Sequence, residues 1–177
     1  YSGQILSYQK MTGQLQEAGN TTTLAHYLEL LGSAGLISGL NKYSGQQVRA
    51  RGSSPKLQVH NTALVSVHSQ RTLAEARQDS AWWGRLTESA VGAHLVNSVR
   101  GKNIQLTYWN ERNFEVDFVL SRGAKIAAIE VKSGHRPDKL PGLALFAKEH
   151  KPVRKWLVGA DGIPVEEFLT IQPEELL

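Results

Sequence analysis

Two short apolar runs, 114–120 (Phe-Glu-Val-Asp-Phe-Val-Leu) and 126–132 (Ile-Ala-Ala-Ile-Glu-Val-Lys), carry charged residues where a strand is buried on at least one face. The turn residues Ser121-Arg122-Gly123-Ala124 between them predict an antiparallel hairpin. Burying a carboxylate is costly unless it is paired or holds a metal. Strand residues two apart share a face. Glu130 and Lys132 are therefore expected together, with Ile129 and Val131 turned into the core. Asp117, with Glu115 and Val119 expected on its face, lies mid-way along the other strand, and a tight turn brings it close to Glu130. Asp117 and Glu130, with the Val131 carbonyl as a third donor, make an oxygen-rich site suited to Mg²⁺ or Mn²⁺. Such an ion serves phosphodiester hydrolysis by polarising the phosphate and acidifying a water. Lys132 would stabilise charge in the transition state.

The flanking pattern extends the hairpin. Trp82, Trp83, Leu86, Ala90, Val91, Ala93, Leu95 and Val96 predict a helix of about twenty residues from Ser80, with Glu88 in reach of the same site. Strands are expected at 104–109, 114–120 and 126–132, then a helix from 138 to 149 and a strand at 155–159. The order is αβββαβ.

The N-terminal part reads differently. Short helices between Ile5 and Leu15, a helix from Thr21 to Leu31 capped by the Thr21-Thr22-Thr23 hydroxyls, and strands at 36–40 and 56–60 follow the order of a winged helix. Its wing tip would be 44–55, where Arg49 and Arg51 are candidates for nucleic-acid phosphate. The 21–31 helix holds only Glu29 as a charge, which suits protein docking better than DNA reading. Residues 61–79 form a polar helical connector. The expected organisation is α+β: a winged-helix-like module over 1–75 and an αβββαβ domain over 76–177.

Composition narrows the classes. The 177 residues contain no cysteine, which excludes disulfides and thiolate metal sites, and the six histidines show no ligand spacing. No apolar run is long enough to span a membrane, and no basic-then-apolar leader precedes the first element, so the cytoplasm is the expected compartment. The chain opens at Tyr1 with its sole methionine at Met11, and is expected to be a fragment or processed product. Its 20 basic residues against 16 acidic ones are compatible with a phosphate-rich partner. Lys139, Lys148, Lys151, Arg154 and Lys155 would line such a path or form a solvated face. The Trp82-Trp83 pair reads as a core and interface anchor.

Asp117 followed by Glu130-Val131-Lys132, behind a helix bearing Glu88, resembles the PD-(D/E)XK nuclease superfamily, which includes restriction endonucleases and Holliday-junction resolvases. More narrowly, the stretches 23–43, 55–64, 84–95, 108–120 and 129–133 resemble the C-terminal region of bacterial and archaeal AAA-type ATPases. There a P-loop ATPase module precedes a winged helix and a PD-(D/E)XK-like domain. The resemblance implies a restriction-endonuclease-like fold, with Asp117 and Glu130 binding Mg²⁺ or Mn²⁺, and Lys132 and Glu88 completing the catalytic set. It also implies nucleic acid, DNA above all, as partner, together with the P-loop module. Val116 stands where the motif's proline would be, and Asn61 where the narrower family often has an aspartate. No Gly-x-x-x-x-Gly-Lys-Ser/Thr stretch is present, so ATP would bind only to an N-terminal module outside this chain.

Two readings compete with a nuclease. One is a catalytically inactive nuclease-fold module that binds DNA or protein and regulates the ATPase. The other is a dimerisation module, giving a homodimer through the winged helix and the tryptophans. In the blandest version, Glu130 and Lys132 pair with neighbours on a solvent-facing sheet and Asp117 salt-bridges Lys132.

Overall fold

The structure, a computed structural model, describes residues 2–5, 7–14, 19–45, 54–134, 140–159 and 161–177. Within them the chain runs α1 (Tyr8–Gln14), α2 (Thr21–Ser33), β1 (Ile37–Lys42), β2 (Lys56–Val59), α3 (Ala63–Ser69), α4 (Leu73–Gln78) and α5 (Ser80–Ser98). It continues through β3 (Gln105–Glu111), β4 (Phe114–Arg122), β5 (Lys125–Val131), α6 (Pro141–His150), β6 (Arg154–Val158) and α7 (Val165–Phe168). The class is mixed α+β.

All six strands belong to one open sheet in the order β2-β1-β3-β4-β5-β6. β1 runs parallel to β3 and β5 parallel to β6, while the other neighbours are antiparallel. The strands of the first segment thus hydrogen-bond into the sheet of the second, through Asn41↔Thr107 and Lys42↔Tyr108. The β3–β4 hairpin turns on Arg112 (φ 49°) and Asn113 (φ 69°), with Glu111 facing Phe114. Two successive left-handed residues give the turn whose twist matches the strands.

The sheet is covered on both faces. Val91, Leu95 and Val96 of α5 pack with Phe118, Leu120, Ala127, Ile129 and Val131, joined by Phe168, Leu176 and Leu177 from the C-terminus. Leu143 and Phe146 of α6 pack with Trp109, Val116, Val119 and Ala128 on the other side. Burial of each such large side chain stabilises the fold by about 1.5–3 kcal/mol. Small residues bring α5 close to the sheet: a Cβ at Gly92 would stand 2.8 Å from the Phe118 ring and run into the Gln58 amide.

Several elements differ from the sequence reading. The cap of α2 is Asn20, whose side chain accepts from Thr22 N and Thr23 N at 3.0 Å each, so the threonines lie inside the helix. An Asn carbonyl one residue earlier satisfies two otherwise free N–H groups at once. α6 begins at Pro141, later than 138, because proline suits the first helical turn. The acidic C-terminus forms α7 and feeds apolar side chains into the core, where no element was expected. Arg49, Arg51 and Lys139 lie outside the described residues.

Gly142 is the tightest point of the α6 face. A Cβ there would run into the Glu115 carbonyl oxygen and stand 3.0 Å from the Glu115 backbone nitrogen and carbon. Because backbone yields less readily than a side chain, Gly142→Ala is expected to destabilise the fold by about 1–3 kcal/mol. A urea melt reads this directly; an unchanged midpoint would mean that α6 does not sit against β4 as described.

Candidate active site

Asp117 owes its position to an irregularity in β4. Thr107 pairs with Val119 and Trp109 with Val116, so Tyr108 alone opposes both Asp117 and Phe118. This bulge re-aims the side chains. Val116 and Val119 then pack towards α6, whereas Phe118 packs towards α5. Val119 therefore does not share the face of Asp117, contrary to simple alternation. The β4–β5 ladder runs from Arg122↔Lys125 to Phe118↔Ile129, and beyond it the N–H of Val131 donates to Asp117 Oδ2 at 2.8 Å. A side-chain carboxylate has taken the place of a ladder carbonyl.

The other oxygen of Asp117 faces a lysine that the sequence reading had assigned only to a strand. Lys56 has no exposed surface. Its Nζ lies 2.6 Å from Glu88 Oε1, 3.1 Å from Glu115 Oε1 and 3.6 Å from Asp117 Oδ1, and it donates to the Asp117 main-chain oxygen at 3.3 Å. It also sits 5.1 Å from the centre of the Phe118 ring. Glu88 reaches this point from α5. The N-terminal segment covers it: Gly3 N donates to Leu57 O at 2.8 Å, with a backbone (φ 77°) that brings its Cα side against the Glu88 carboxylate.

Glu130 and Lys132 do project together, as their spacing predicts. Lys132 Nζ donates to Glu130 Oε1 at 2.6 Å. Glu130 is buried, and its Oε2 has no hydrogen-bond partner among the described residues. A cavity of about 260 Å³ opens beside the pair, lined by Phe114, Glu115, Glu130, Lys132, Pro141 and Gly142 among others. Asp117 pairs with Lys56 and the Val131 N–H, whereas Lys132 pairs with Glu130, so the Asp117–Lys132 salt bridge of the blandest reading is not the one formed.

The electrostatics follow from this census. Four carboxylates (Glu88, Glu115, Asp117, Glu130) face two ammoniums. Burial, with the Asp117 charge beside them, pushes the Glu88 and Glu130 carboxyls up to about 7 each. Burial alone would lower Lys56, but the charges of Asp117, Glu88 and Glu115 outweigh it and hold the ammonium protonated well above its usual range. Lys132 is likewise raised, its partial burial overcome by the Glu130 hydrogen bond and charge.

Comparison with known proteins adds one match. Residues 83–167 match the model of DUF4143, a domain of unknown function. No curated protein and no solved structure matches the chain. The DUF4143 stretch contains Glu88, Glu115, Asp117, Glu130 and Lys132, but not Lys56, which enters from outside it. Sequence reasoning missed Lys56 because Lys56 and Gln58 alternate with Leu57 and Val59, the pattern of a strand with one wet face. Here α5 covers that face, and both polar residues are fully buried.

Among the described residues no three His, Asp or Glu side chains form a group arranged for a metal ion. Glu130 Oε2 is buried without a hydrogen-bond partner among the described residues, and Asp117 Oδ1 faces Lys56 beyond hydrogen-bond length. Hard carboxylate oxygens of this kind fit Mg²⁺, which commonly uses one or two carboxylates and keeps its waters, better than Ca²⁺ or Zn²⁺.

The raised carboxyls set a pH dependence. In the unfolded chain Glu88 and Glu130 titrate near 4.5, in the folded one near 7, so between these values the folded state holds more protons. Stability must then fall as pH rises through that window. In metal-free buffer the melting temperature is expected to drop between pH 5 and about 7.5 by a few degrees or more, and Glu130→Gln is expected to flatten the slope. A melting temperature that is flat or rises across the window would contradict the described burial.

Proposed function

We propose that this chain is a Mg²⁺-dependent nucleic-acid phosphodiesterase module of PD-(D/E)XK type, acting on DNA as the C-terminal part of an AAA-type ATPase. The observation that carries this reading is the charge surplus of the cluster: four carboxylates against two ammoniums, with a buried Glu130 oxygen left unpartnered beside an open cavity. The element order α5-β3-β4-β5-α6-β6 supports the fold assignment, and the N-terminal helices and strands support a winged-helix-like module.

Asp117 and Glu130 would hold the metal, which when bound polarises a phosphate and lowers the pKa of a water. Asp117 is pre-set for this by the hydrogen bond from Val131 N, which fixes its Oδ2 at the end of β5, next to the residue position of Glu130. Lys132 lies at the cavity with its side chain one-third exposed, tethered to Glu130, in a position to meet charge developing on a phosphate. Glu88 contributes through Lys56.

The second reading, an inactive module that regulates the ATPase through a protein contact, draws on a different observation. Helix α2 exposes Tyr27, Leu30 and Leu31 and carries no Lys or Arg, so its surface suits an apolar partner better than a DNA groove.

Incubation with duplex, junction, single-stranded and RNA substrates in Mg²⁺ or Mn²⁺ tests the first reading. Cleavage is expected, abolished by chelator and by Asp117→Ala, and reduced about 10²–10³-fold by Lys132→Ala. Binding without metal-dependent cleavage of any substrate would favour the regulatory reading.

A further inference from the structure

Lys56 reaches into the cluster from β2, outside the DUF4143 stretch that supplies every carboxylate around it. Its ammonium occupies the space between Glu88 and Asp117, 2.6 Å from one and 3.6 Å from the other, with Glu115 at 3.1 Å. In two-metal phosphoryl-transfer sites the ions lie about 3.5–4 Å apart and share a bridging carboxylate. Asp117 has the form of such a bridge: one oxygen towards Lys56, the other fixed by the N–H of Val131, the residue after Glu130 at the end of β5.

We propose that the Lys56 ammonium is a built-in cation that fills the second of two cation positions, so that the cluster takes a single divalent ion, at Asp117 and Glu130. This rests on the metal-dependent reading above. Mg²⁺ binds carboxylate oxygens at about 2.0–2.1 Å. An ammonium already in contact with Glu88 Oε1 stands where an ion would bind that oxygen, and its charge repels one. Glu88 is then a positioning residue: it holds Lys56, and through Lys56 the bridging oxygen of Asp117. Glu115 shares that duty. The arrangement also ties the site to the N-terminal segment, because β2 carries Lys56 and the backbone of Gly3 and Gln4 bonds to Leu57 on its edge.

The test is to count Mn²⁺ ions by calorimetry and electron paramagnetic resonance on the whole chain. Wild type is expected to bind one ion. Lys56→Met is expected to bind two, the second lost again in Lys56→Met combined with Glu88→Gln. In the wild-type background Glu88→Gln is expected to keep the single ion with an affinity changed less than about tenfold. Two ions in wild type, a single ion in folded Lys56→Met, or loss of the ion in Glu88→Gln would each overturn the proposal while leaving a metal site standing. No Mn²⁺ bound by wild type would instead overturn the metal-dependent reading and this inference with it. Should Lys56→Met fail to fold, the wild-type count and Glu88→Gln decide.

Discussion

A lysine ammonium with no exposed surface, within 3.6 Å of three carboxylates, is the contact on which the rest of this structure depends. Unpaired, a buried charge is destabilising by several kcal/mol, and removing one partner of a buried pair typically costs about 3–5 kcal/mol. Lys56 and the acidic groups therefore require one another. The contact joins elements that are distant in sequence: β2, α5 and β4 meet at one nitrogen, and the N-terminal residues close over it. It thus joins the first segment to the DUF4143 stretch, as the shared sheet also does.

The same contact leaves the cluster unbalanced. Two ammoniums do not neutralise four carboxylates, and the deficit falls on Glu88 and Glu130, whose carboxyls are pushed up towards neutrality by burial and by Asp117. A purely structural network would be expected to satisfy its buried atoms. The unpartnered Glu130 Oε2, at the edge of a cavity shared with Lys132, is where the network stops short. The physical cause of the raised carboxyls is burial first, with the Asp117 charge adding to it, and of the two only Glu130 lines the cavity.

Much of this was legible from residue order alone. The period-two pattern of 126–132 put Glu130 and Lys132 on one face, and turn residues marked the β4–β5 hairpin. The faces at Asp117 were not legible, because a bulge changes which residues share a face without leaving a mark in composition: Val116-Asp117-Phe118-Val119 reads as plain alternation. Lys56 was hidden for a related reason. A lysine in an alternating strand is read as solvated, and only the packing of α5 over β2 makes it a buried counter-ion. The Asn20 cap and α7 were lost to local ambiguity, since three threonines compete with one asparagine and an acidic tail masks the apolar residues Phe168, Leu176 and Leu177.

On the proposed reading, the carboxylate cluster lacks a cation that a divalent metal supplies. The most direct test is the melting temperature of the whole chain at pH 7, in chelator and then in millimolar Mg²⁺ or Mn²⁺, beside Asp117→Asn. A ligand that binds only the folded state raises the melting temperature. A rise of several degrees is expected for wild type and little or none for Asp117→Asn. Equal melting in metal and chelator, or the same rise in both proteins, would contradict it.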